Sequence, residues 1–108
     1  MRLTEDEENN VLIELAEMLL DKSLCQLSKH VLEKVTDKNS VRVMFCLAKA
    51  RMLLLEYPQA AEDLKSIITG IDPNLIDAHV QYGHCQFMLD NFDEAKDAYI
   101  NSIRLANL

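Results

Sequence analysis

The chain has 108 residues, 49% hydrophobic and 27% charged, which excludes a disordered protein and suits one domain near the lower end of what buries its own core. A formal net charge of −7 argues against nucleic acid as a partner, because phosphate binding needs a basic surface. With only two glycines and two prolines, and many Leu, Ala, Glu, Lys and Met residues, the composition is that of an all-α protein.

Start and stop signals divide the chain into six helices. Thr4 and Glu7 form a capping box that opens a helix from about Glu5 to Asp21. Ser23 and Gln26 offer a second box, with a helix to about Val35. The polar stretch "TDKNS" breaks the chain, and Ser40 can cap a third helix ending near Glu56. Pro58 suits the first turn of a fourth helix, which Gly70 closes. "DPN" precedes a fifth helix ending near Leu89, and Asn91 with Glu94 forms a third capping box for the sixth. Apolar residues recur at helical spacing, as with Leu12, Leu15 and Leu19, then Leu24, Leu27 and Val31. Short connections make consecutive helices antiparallel neighbours, giving three helical hairpins.

The hairpins repeat. Leu47, Ala48, Tyr57, Ala60, Leu64 and Ile67 are matched 35 residues later by Tyr82, Gly83, Phe92, Ala95, Tyr99 and Ser102. A weaker copy precedes them: Leu15 and Ala16 lie 32 residues before Leu47 and Ala48, and Leu24, Leu27 and Val31 lie 33 before Tyr57, Ala60 and Leu64. The pattern resembles the tetratricopeptide repeat (TPR), a helix-turn-helix unit of about 34 residues. "YGHCQFMLDNFDEAKDAYINSI" and "LAKARMLLLEYPQAAEDLKSII" carry the resemblance, which covers nearly the whole chain and is loosest in the first unit. Met44 and His79 stand where the family often has Trp, and Leu27 replaces a small residue. The resemblance implies one TPR domain over 1–108, with units at about 5–38, 40–72 and 74–107, stacked as a right-handed superhelix or α-solenoid.

The stretch "HVQYGHCQFMLDNFDEAKDAY" holds the densest chemistry, yet it reads as scaffold. His79 and His84 are five apart, about 140° around a helix, whereas a helical zinc pair wants a spacing of four. Gly83 is expected to permit close approach of Ala95, and Asp90, Asp93, Glu94 and Asp97 to serve a helix start. Cys25 and His30 are also five apart, so they make no nucleophile–base pair. There is no G-x-S-x-G, Gly-rich phosphate loop or C-x-x-C, so neither enzymatic activity, metal nor cofactor is expected. Cys25, Cys46 and Cys85, each inside an apolar pattern, should be buried free thiols.

In TPR proteins the first helices line a concave groove that binds partners. The resemblance places Ile13, Glu17 and Leu20 there from the first unit, Arg42, Phe45, Lys49 and Met52 from the second, and Asp77, Val80, His84 and Phe87 from the third. Phe45 and Lys49 stand where a carboxylate clamp would want Lys and Asn, which disfavours a C-terminal carboxylate as ligand. A peptide or helix of a partner protein, acidic with apolar anchors, suits the groove better. Residues 22–55 carry seven bases and two acids between acidic flanks, a local basic island that fits such a partner. The expected function is a non-enzymatic interaction module, a scaffold or adaptor within a larger assembly. The alternative is a structural segment of a longer TPR protein, acting by stacking or self-association, with a faint likeness to ciliary members. "IRLANL" ends the last helix without a polar capping helix, so Ile100, Ile103 and Leu105 are expected to mediate self-association or stacking on further repeats. No run is apolar enough to span a bilayer and no leader opens the chain. No membrane partner is therefore expected, and the location reads as cytoplasmic, with nucleus or cilium left open.

Overall fold

The computed structural model describes residues 2–108, and the described residues form six α-helices with no strand. These are α1 (Glu5–Asp21), α2 (Cys25–Glu33), α3 (Val41–Leu53), α4 (Tyr57–Ser66), α5 (Ile76–Met88) and α6 (Phe92–Ala106), with a π-helical turn over Ile67–Ile71. Each helix packs on the next in sequence. In addition α1 touches α3 and α3 touches α5, whereas α2, α4 and α6 do not touch one another. The body measures 52 × 30 × 19 Å.

The capping box at Thr4 forms as expected. Its hydroxyl accepts from the Glu7 N–H at 3.2 Å, and the Glu7 carboxylate accepts from the Thr4 N–H at 3.1 Å. The boxes expected at Ser23 and Asn91 do not form. Ser23, Leu55 and Asp90 each take a positive φ, between 62° and 64°. Their amides bond to the carbonyls of Leu20, Met52 and Phe87, and the following amides, of Leu24, Glu56 and Asn91, reach those of Leu19, Arg51 and Gln86. This is one Schellman turn built three times. The main chain satisfies the helix ends by itself, so α2 starts without a side-chain cap and the Asn91 amide donates instead to Gln86.

The turns also fix the register of the hairpins. Ser23, Leu55 and Asp90 are separated by 32 and 35 residues, and the same offsets relate Ala16, Ala48 and Gly83. The first unit's second helix therefore follows at 32, not at the 33 expected from sequence. Ser28, not Leu27, fills the small slot opposite Ala16: Leu27 is 48% exposed and Ser28 is 0% exposed. The buried Ser28 hydroxyl donates to the Ala16 carbonyl at 2.8 Å, which removes the penalty for its polarity. In α1, where the offset of 32 stands, Ile13, Ala16 and Leu20 are buried and Leu15 is exposed.

The three residues added between the second and third units lie in the α4–α5 connection, where α4 gives way to the π turn. Gly70 lies inside that turn with an ordinary φ and does not end α4 as a left-handed cap. The core has two clusters. One joins α1 and α2 to Val43, Cys46 and Ala50, and the other joins α4 and α5 to Ala48 and Met52, so α3 feeds both. All three cysteines are free and buried.

Candidate functional site

An open cleft of about 650 Å³ lies between the C-terminal half of α3 and the middle of α5. Leu20 and Asp21 close one end of it, Lys49 and Met52 come from α3, and Val80 and His84 come from α5. Leu20, Lys49, Met52, Val80 and His84 were all expected in a groove on sequence grounds, and the structure brings these five together. Leu20 and Met52 are buried at its floor, while Val80 and His84 are exposed on its wall.

The remaining expected groove residues lie elsewhere. Arg42 reaches across to Glu17 at 2.7 Å, an exposed ion pair that ties α3 to α1 and raises the Arg42 pKa through that hydrogen bond. Phe45 lies under the Lys49 ammonium, 4.9 Å from ring centroid to nitrogen, so it shapes the cleft indirectly. Ile13 belongs to the core, Asp77 is exposed outside the cleft, and Phe87 packs edge-on against Phe92 at 5.4 Å. Of the expected stacking residues, Ile100 and Ile103 are exposed and Leu105 is half-buried.

Sequence reasoning missed the aromatic part of the wall. Tyr57 lines the cleft and meets His84 edge-on at 6.1 Å. Tyr99 arrives from α6 because Gly83 has no Cβ: a methyl placed there would lie 2.8 Å from the ring. The glycine thus admits the Tyr99 ring, an approach the sequence did not name. A glycine in mid-helix was the signal that could have located this approach. Leu55 also reaches the cleft, held there by its left-handed backbone.

Chemically the cleft is an apolar trough with the Lys49 ammonium at one edge, the Asp21 carboxylate at one end, and two tyrosines on its wall. No group of three or more His, Cys, Asp or Glu side chains among the described residues is arranged to hold a metal ion. His79 is buried, its Nε2 donating to the Pro73 carbonyl at 2.7 Å and its Nδ1 lacking a partner. Burial pushes the Cys85 thiol up to about 11 and raises Cys46 as well, so neither favours the thiolate. No described helix is long and apolar enough to cross a membrane. No protein-family model, curated protein or solved structure matches the chain.

Proposed function

We propose that the chain is a non-enzymatic protein-interaction module of TPR type, a scaffold or adaptor whose hairpins stack as an α-solenoid. Its α3–α5 cleft takes a helix or extended segment of a partner. The observation that carries this reading is the cleft's composition: Leu20, Met52 and Val80 offer apolar seats, and Lys49, steadied over Phe45, offers one cation at the edge. Such a surface favours a ligand with apolar anchors and an acidic residue at the Lys49 edge, away from the Asp21 carboxylate that closes one end. The contacts of α1 with α3 and of α3 with α5, without matching contacts among α2, α4 and α6, support the stacked arrangement. The intracellular setting is part of the same proposal and rests on the three buried free thiols.

Selection from a displayed library of random peptides tests it, using the native chain and a Lys49→Glu/Val80→Glu variant of equal helicity. Native protein should enrich acidic peptides with spaced apolar residues, and the variant should lose them. If no peptide is enriched, or the variant keeps the same ones, the cleft is not a ligand site.

A further inference from the structure

One junction between units is built twice inside the chain. In the first, α3 packs on α2 and commits Val43, Leu47 and Ala50, a stripe at i, i+4 and i+7, to the cluster that holds Cys25, the counterpart of Tyr57 at the 32-residue offset. In the second, α5 packs on α4, and Ala78, Tyr82 and Cys85 join Tyr57, Ala61 and Ile68. Tyr57 reaches across that second junction to His84.

The offsets set by the three Schellman turns extend both halves of the junction outward. Counting back 32 residues from Val43, Leu47 and Ala50 gives Val11, Leu15 and Met18 on α1. Counting forward 35 from Tyr57, Ala61 and Ile68 gives Phe92, Lys96 and Ile103 on α6. The interior versions are covered: Val43 is 3% exposed and Ala78 and Cys85 are 0%. The outer versions are open, with Met18 60%, Val11 53%, Ile103 62% and Phe92 56% exposed. Each end of the molecule therefore presents one half of an interface whose complement it carries at the other end.

We propose that the α1 face of one copy docks on the α6 face of a second copy, repeating the α2–α3 and α4–α5 junctions between molecules. The contact is heterologous, so assembly runs head to tail and does not close at a dimer. Val11, Leu15 and Met18 supply the stripe, and Phe92 and Ile103 receive it, with Ile100 widening the patch beside them. The pairing rests on the apolar stripe and not on charge: α1 carries seven acidic residues and no basic one, and α6 sets Asp93, Glu94 and Asp97 against Lys96 and Arg104. The cleft between α3 and α5 is not part of this contact, so the two proposals stand separately.

Sedimentation velocity over a concentration series separates the alternatives, using the native chain, Met18→Glu, Ile103→Glu and an equimolar mixture of the two variants. Both substitutions fall on exposed side chains, and circular dichroism checks that helicity is unchanged. The native mass should climb with concentration past a dimer, and each variant alone should stay monomeric. The mixture should form dimers and stop there, because Met18→Glu keeps a sound α6 face and Ile103→Glu keeps a sound α1 face. A native chain that is monomeric throughout overturns the proposal, as does a mixture that remains monomeric. A single variant that still dimerises replaces it with a symmetric, like-on-like contact.

Discussion

Leu55 holds a left-handed backbone with a branched, exposed side chain, a combination that costs about 1–2 kcal/mol relative to glycine. Leu55→Gly should therefore raise stability by about 1 kcal/mol, after allowing for the looser unfolded chain. A higher urea midpoint with an unchanged slope would show it. Asp90→Gly should gain less, because Asp tolerates this conformation better. At Gly83 the sign reverses. Helix propensity favours alanine by about 1 kcal/mol, but its methyl would press on the Tyr99 ring. Gly83→Ala should destabilise the native chain and become neutral or stabilising in a Tyr99→Ala background, a double-mutant cycle with coupling of about 1 kcal/mol or more. Cys85 governs an alkaline effect. Its folded pKa, about 11, lies above the ordinary 9.0, so the stability tied to the neutral thiol is full below pH 9.0 and is lost as pH rises toward 11. Thermal melts of the native chain and Cys85→Ala across that window should converge as pH rises.

At the scale of elements, helix boundaries were legible where side chains make them and illegible where the backbone does. Thr4 and Glu7 announce α1 in the sequence and cap it in the structure. Ser23 and Asn91 carry the same residue types, but a Schellman turn satisfies the helix ends there without them. The one-residue slip in the first unit has a related cause. Hydrophobic periodicity favours Leu27 for the interior, whereas the tight slot opposite Ala16 admits the smaller Ser28, whose hydroxyl finds a carbonyl. Pairing between helices is equally hidden from periodicity. Arg51 of α3 meets Asp63 of α4 at 2.6 Å, both largely buried, and desolvation raises the Asp63 pKa despite the guanidinium beside it. Arg51→Ala strands that carboxylate and should cost about 2 kcal/mol, reduced from the fully buried case because some solvent reaches the pair. Replacing Asp63 with Asn in the Arg51→Ala chain should recover most of the loss in a denaturant titration.

For the molecule as a whole, the all-α class and the order of six helices were legible because caps, breaks and apolar spacing agree along most of the chain. The cleft was half legible. The TPR resemblance pointed to the α3 and α5 residues that face each other, Lys49 and Val80 among them, but not to Tyr57 and Tyr99, which enter from second helices. Their arrival depends on three-dimensional approach, which the sequence signals only for Tyr99, through Gly83. The division of the core predicts an uneven stability. Amide exchange should be slowest in α3 and quicken toward α1 and α6, each of which packs on one side only. Equal protection in all six helices would contradict that division.

The sharing of α3 between both clusters has a mechanical counterpart. Under tension between its two ends, the molecule offers no single brittle joint. The outer hairpins should peel away first, α1–α2 giving up its cluster with α3 and α5–α6 giving up the α5 share of the other, while α3 keeps α4 as a partner. Its response to force is that of a strap with a central rivet, yielding in steps and reseating from the middle outward once the load is removed.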